Sequence, residues 1–275
     1  MNVYEETQLI LHKYKIQANK SLGQNFLVDD NVIDEIIRSS NIDKQDLIIE
    51  IGPGLGVLTN RLLKEANNVI AVELDKRMVN ILQDRFILNI NDQAESKLEI
   101  INEDVLKINL NEIIAEKRKQ TEIKNVKIVA NLPYYISTPI IMKLLENRLD
   151  IDEIIVMVQK EVAERLTAKT GTRLAGAITY AVEYYSDATS IIKVPKESFV
   201  PSPKVESEVI KLKVRKGKKI QVKDEKLLFN IISKSFMQRR KTLSNVLINN
   251  NIMHSKEDVK NMWKELEIDE NVRGE

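Results

Sequence analysis

Five short runs dominated by Ile, Val and Leu, at residues 47–51, 69–72, 98–101, 126–130 and 154–158, recur along the first part of the chain. Stretches in which apolar residues fall three and four apart separate them, for example at 57–65, 76–86 and 138–146. The two periods belong to different structures. An apolar stripe at helical spacing buries one helix face, whereas a strand covered on both sides reads as a continuous apolar run. Their alternation predicts a doubly wound α/β sheet. Further strands are expected at 191–194 and 209–214, the second following the proline-rich Phe199-Val200-Pro201-Ser202-Pro203. Past Gly217 the pattern turns helical, at 226–236, 242–248 and 256–266, with no internal repeat and no low-complexity segment. The expected division is a main domain at 1–216 and a small helical domain at 217–275.

Composition narrows the classes. With 275 residues and 43% hydrophobic content, the chain can bury a full core. It has no cysteine, which excludes disulfides and thiolate metal sites, and no metal centre is expected. No stretch approaches the roughly 20 apolar residues of a membrane span. The start of the chain, with Glu5 and Glu6, lacks the basic and apolar pattern of a signal peptide. A cytoplasmic, soluble monomer is the expectation. The net charge of +1 conceals an asymmetry: residues 190–245 hold fifteen Lys and Arg against five Asp and Glu, a local +10 against −9 for the rest. Such a segment suggests a polyanionic partner, although a solvated lysine-rich face explains many charge runs equally well.

The first chemical signal is Glu50-Ile51-Gly52-Pro53-Gly54-Leu55-Gly56, where the first of these strands meets the next helix. Gly52 and Gly54 let the backbone turn tightly and approach a ligand, at the carboxyl end of a strand where open α/β sheets bind their ligands. A dinucleotide fingerprint requires Gly-x-Gly-x-x-Gly. Here the third glycine comes one residue early and Val57 takes its place. That favours S-adenosylmethionine, which carries no phosphates. Glu73, ending the second strand, is placed to accept hydrogen bonds from both ribose hydroxyls, and Asp104, past the third, to accept from the cofactor's adenine amine. A glycine turn alone is often only a tight loop and a lone acid only surface charge; their fall at successive strand ends is what gives them weight.

The sharpest signal is Asn131-Leu132-Pro133-Tyr134, directly after the fourth strand. An adenine exocyclic amine is a poor nucleophile because its lone pair is delocalised into the ring. The Asn131 side-chain oxygen and the Leu132 carbonyl can each accept one amine hydrogen, localising the lone pair. Pro133 stiffens the turn through its fixed φ, and Tyr134 offers a face on which a base can stack. The alternative is a proline turn beside a core tyrosine.

With these motifs the chain resembles the ribosomal RNA adenine dimethyltransferases that act on the small-subunit 16S RNA. The resemblance runs from Ser21-Leu22-Gly23-Gln24-Asn25-Phe26-Leu27 through Asn131-Leu132-Pro133-Tyr134-Tyr135-Ile136-Ser137-Thr138-Pro139. It continues into Phe199-Val200-Pro201-Ser202-Pro203-Lys204-Val205 and Phe236-Met237-Gln238-Arg239-Arg240-Lys241-Thr242, and so covers nearly the whole chain. It implies a Rossmann-like methyltransferase sheet with a small C-terminal helical domain. It also implies that Asn25, Leu27, Gly52, Glu73, Asp104 and Asn131 contact S-adenosylmethionine and that Phe199 holds the flipped adenine opposite Tyr134. Read without it, Phe199 is a core residue. The expected activity is two successive transfers of methyl to adenine nitrogen by in-line displacement, on 16S RNA or an immature small subunit. Arg239, Arg240 and Lys241 are expected to meet phosphates.

Two departures stand out. The family often carries a tyrosine in a Gly-Ser-Lys-x-Tyr-Gly run, where this chain has Gly171-Thr172-Arg173-Leu174-Ala175-Gly176. Relatives also continue past Arg273-Gly274-Glu275 into a further helix, so a truncated small domain is expected. Three other readings compete. The erythromycin-resistance methyltransferases act on 23S RNA and usually carry Ile at the position of Leu132 and Asn at that of Tyr135. DNA adenine methyltransferases usually have Pro-Pro-Tyr after the Asn or Asp. A non-catalytic ribosome-assembly factor would retain the fold alone.

Overall fold

The computed structural model describes residues 1–19, 23–87, 97–217 and 220–274. Helix α1 (Val3–Lys13) is capped by Asn2, and a two-residue strand β1 (Phe26–Leu27) precedes α2 (Asp30–Ser40). Asp29 ends the extended segment and starts α2 by accepting hydrogen bonds from the amides of Asn31 and Val32. The parallel core then follows as β2 (Leu47–Ile51), α3 (Val57–Glu65), β3 (Asn68–Val72), α4 (Lys76–Phe86), β4 (Leu98–Ile101), α5 (Leu110–Gln120), β5 (Val126–Asn131), α6 (Ser137–Glu146) and β6 (Glu153–Gln159). Helices α7 (Lys160–Thr167) and α8 (Ala177–Tyr185) lead into β7 (Ser186–Val194), the short β8 (Phe199–Val200) and β9 (Ser207–Val214).

The large sheet has the order β4-β3-β2-β5-β6-β9-β7. Its first five strands are parallel, while β9 runs antiparallel to both β6 and β7. The doubly wound, Rossmann-like architecture expected from the apolar runs is therefore present, with an antiparallel edge. Alternate residues of each central strand serve opposite faces: Leu47, Ile49 and Ile51 of β2 join one core cluster and Ile48 the other. The same division holds for Ile128 against Val129 and for Val156 against Met157. Strand β7 starts earlier than the expected 191–194 because residues 186–190 pair with β9 while carrying no apolar run. The chain order moves outward from β2 to β4 on one side and from β5 to β6 on the other. A crevice therefore opens between β2 and β5 at their carboxyl ends.

One buried ion pair ties α2 to this core. The Lys127 ammonium on β5 lies 2.6 Å from the Asp46 carboxylate and donates to the carbonyls of Ser40 at 3.1 Å and Asn41 at 2.6 Å. Its three donors are thus all used, as a buried ammonium requires. Burial pushes the Asp46 carboxyl up, but Lys127 and the neighbouring donors outweigh it and leave the group below its usual range.

Helices α9 (Glu225–Met237), α10 (Leu243–Asn249) and α11 (Lys256–Glu265) surround a cluster of their own built on Leu247, Val259 and Trp263. Helix α9 meets α8 through aromatic contacts. The Phe229 ring stacks on Tyr185 at 5.5 Å and meets Tyr184 edge-on, and Phe236 packs against Tyr180 at 5.4 Å. No helix among the described residues is long and apolar enough to cross a membrane.

Candidate active site

The carboxyl ends of β2, β3, β4 and β5 open into a single cleft of about 1130 Å³, open solvent at its mouth included. Gly52, Gly54 and Gly56 all take positive φ, at 67°, 57° and 78°. This left-handed backbone is what only glycine adopts freely. At Gly56 space is limiting as well, because a Cβ would sit 2.6 Å from Leu82 and 2.7 Å from Phe86. The third glycine of the motif thus lets α3 start tight against α4, while Gly52 and Gly54 line the cleft.

Glu73 follows β3 and is buried. Its carboxylate accepts hydrogen bonds from the Gly54 amide at 3.1 Å and the Asp75 amide at 2.7 Å, which links the glycine turn to the next strand. Burial raises its pKa against the pull of those two amides. A carboxylate has about four acceptor positions, so capacity remains for a ligand's hydroxyl. Asp104 sits on the loop after β4, where its Oδ1 accepts from the Leu106 amide at 2.9 Å. The Asn102 amide group donates to the carbonyls of Glu73 and Leu74, tying that loop to the end of β3.

The opposite wall is the turn after β5. The Asn131 Nδ2 donates to the Asn25 carbonyl at 3.4 Å, and the Leu132 amide to Met157 at 3.2 Å. Leu132 is buried, Tyr134 half-buried and Tyr135 exposed at the cleft mouth. The Tyr134 hydroxyl shares a 2.6 Å hydrogen bond with Ser207 at the start of β9, and burial raises its pKa against that bond. Asn25 and Leu27 line the cleft from the N-terminal side, Asn25 turning its own amide to the Gly23 carbonyl.

The charge of the lining is one-sided. Glu50, Glu73, Glu103 and Asp104 face the cleft, the Glu50 carboxyl held neutral by burial, and none of the described lining residues is Lys, Arg or His. A pyrophosphate would meet the carboxylates of Glu73, Glu103 and Asp104 with no compensating cation among the described lining residues. A cationic, phosphate-free ligand fits, and S-adenosylmethionine is one: Glu73 and Asp104 would hold its ribose and adenine ends, Asn25, Leu27 and the glycine turn the remainder.

Comparison with known proteins agrees with this geometry. The family model described as ribosomal RNA adenine dimethylase matches residues 15–274. The chain is 43% identical over 270 residues to the ribosomal RNA small subunit methyltransferase A of Alkaliphilus metalliredigens (strain QYMF), covering 98% of this chain and 91% of that protein. The chain belongs to the ribosomal RNA adenine dimethylase family. A dimethyladenosine transferase from Plasmodium falciparum shares the structure at a TM-score of 0.71 and 26% identity, over 90% of this chain and 91% of that one. The 23S rRNA methyltransferase ErmE, at 0.64 and 20% identity over 91% and 93%, shares the fold. Membership makes the chain an rRNA adenine methyltransferase at the level of its family, and the resemblance read from the motifs is borne out.

Within this dimethylase-family site, Asn25, Leu27, Gly52, Gly54, Glu73, Asp104, Asn131, Leu132 and Tyr134 come together around one cleft. Phe199 does not line it. At 3% exposure Phe199 belongs to the core, and its backbone pairs with Leu27 where β8 meets β1. Ser21 and Leu22 of the N-terminal motif, and Glu275 at the other end, lie outside the described residues. Arg239 is exposed yet engaged: its guanidinium donates to the Ala175 carbonyl at 3.1 Å and lies 4.9 Å over the Phe236 ring. Arg240 and Lys241 beside it are exposed. The basic window is less available than its sequence count suggests. Lys211 pairs with Glu153, Arg215 with Asp187, and Lys216 with Asp150 and Asp152. Sequence reasoning missed Glu50, whose buried carboxyl accepts the Thr59 hydroxyl at 2.6 Å, although it opens the glycine motif. It also missed Ser207, for which no local signal exists.

Proposed function

We propose that this chain methylates the exocyclic amine of adenines in 16S ribosomal RNA, twice at each target, during maturation of the small subunit in the cytoplasm. The observation that carries the reading is the Asn131 hydrogen bond to the Asn25 carbonyl. With Nδ2 committed there, Oδ1 is the end of that amide left to accept a hydrogen from a ligand amine. The Leu132 carbonyl supplies a second acceptor on the same turn, and two acceptors on one NH₂ draw its lone pair out of the ring. Tyr134, steadied by Ser207, presents a face for the base. S-adenosylmethionine, when bound, supplies an electrophilic methyl group. Glu73 and Asp104 orient it by accepting from hydroxyl and amine donors. No strong base is needed among the protein groups, because the methylated amine sheds its proton readily to water. After one transfer a hydrogen remains on the nitrogen, so a second is chemically open. The adenine must be extruded or single-stranded to reach the cleft.

The small-subunit assignment is supported by the curated relative, named as a small subunit methyltransferase. Purified protein with methyl-labelled cofactor should label 16S RNA in immature subunits and leave free 23S RNA and DNA unlabelled, and digested product should contain dimethyladenosine. Preferential labelling of 23S RNA would favour the erythromycin-resistance reading. Monomethyladenosine as sole product would refute the second transfer, and no labelling at all would favour a non-catalytic assembly factor.

A further inference from the structure

We propose that Lys143 is a positioning residue for recognition of the cofactor's adenine amine, an inference that rests on the role given above to Asp104. Lys143 lies on α6, and its ammonium donates to the carbonyls of Val105 at 2.9 Å and Ile108 at 2.8 Å. These carbonyls belong to the loop that carries Asp104. Asn102 ties the start of this loop to the end of β3, and beyond it the loop's bonds are internal: the Asp104 carbonyl accepts from the amides of Lys107 and Ile108, and its Oδ1 from Leu106. Internal bonds of this kind fix the shape of a loop and leave its placement against the cleft to contacts from outside. Lys143 makes two such contacts from a rigid helix, and its charge attracts Asp104.

The origin of α6 adds a consequence. The helix starts at Ser137, within the same run as the turn of Asn131, Leu132, Pro133 and Tyr134. One element therefore sets both the wall that receives the target base and, through Lys143, the loop facing the cofactor's adenine. Part of the ammonium's hydration is lost in this position, which lowers its pKa against the pull of Asp104.

The test compares binding of two probes to the full chain by calorimetry: S-adenosylhomocysteine and its 6-deamino purine analogue, which lacks only the amine. Wild-type protein should bind the first about tenfold or more tightly, the weight of one charge-assisted hydrogen bond. In Lys143→Met that preference should fall to within about twofold, while Lys143→Arg, which keeps a cationic donor of similar reach, should restore most of it. A wild-type protein that binds both probes equally refutes the Asp104 role itself. A wild-type preference that persists undiminished in Lys143→Met overturns the positioning role alone. Should Lys143→Met not fold, Lys143→Gln replaces it with the same criterion, since its shorter arm cannot span both carbonyls.

Discussion

Replacing Glu50 by Gln should stabilise the ligand-free protein at neutral and alkaline pH, by an amount that grows with pH. Glu50 sits in β2 with 1% exposure. Burial pushes its carboxyl from 4.5 up to about 8, against the hydrogen bond from Thr59 and with help from the charge of Glu73. In the unfolded chain the group ionises near its ordinary value. Between pH 4.5 and 8 the folded protein therefore holds a proton that the unfolded chain has released. Stability is then greatest below the lower value and declines as pH rises, by about 1.4 kcal/mol per pH unit across this window. The accumulated loss is about 3 kcal/mol at pH 7 and about 4 kcal/mol at pH 8, where the folded group has begun to ionise as well. Gln cannot ionise, yet its amide oxygen can still accept the Thr59 hydroxyl. Urea unfolding of wild type and Glu50→Gln at pH 5, 7 and 8 reads the difference directly, because every other titrating group common to both largely cancels. The two should nearly coincide at pH 5 and diverge above it. A constant offset across the series would refute the reasoning. A residue that lowers stability at working pH fits a site shaped by ligand charge, in a cleft lined by four carboxyls.

Three further outcomes are expected. Asn131→Ala removes the acceptor for the target amine, so kcat should fall by roughly 10²-fold or more, as when one stabilising polar group is lost from other active sites. Calorimetric affinity for S-adenosylhomocysteine should change far less, and an unchanged kcat would refute the acceptor role. Ser207→Ala frees the Tyr134 hydroxyl from its partner, a loss of about 1 kcal/mol. It should raise KM for RNA roughly fivefold with little change in kcat, and an unaltered KM would show that the ring needs no such support. If Arg240 and Lys241 each neutralise one phosphate, changing both to Gln should flatten the log-log salt dependence of RNA binding by about 1.4 to 1.8. An unchanged slope in filter-binding titrations would place the phosphate contacts elsewhere.

Much of the α/β sheet was legible because its signals are local. The runs that became β2, β3, β5 and β6 are buried on both faces, so they read as nearly continuous apolar stretches. Helix α3 begins and ends where its periodicity does, at Val57 and Glu65. Only the second half of strand β7 was legible, at 191–194; its first half escaped because an edge strand buries few of its residues and its identity rests on pairing with β9. The glycine turn, Glu73, Asp104 and Asn131 were recognisable because each follows a strand, and in a parallel sheet all such ends fall on one side. Phe199 shows the limit: its buried place beside β1 depends on a pairing across more than 170 residues of sequence.

By itself, then, the chain's order of residues determined the layered sheet and the carboxyl-end crevice with the turns that border it, since periodicity and strand ends are properties of contiguous segments. Only the tertiary structure decided which polar groups support that crevice. Ser207 reaches Tyr134 and Lys143 reaches the Asp104 loop across 73 and 38 positions. A hydrogen bond depends on the meeting of two directed groups in space, and nothing in either local segment encodes where the other will lie.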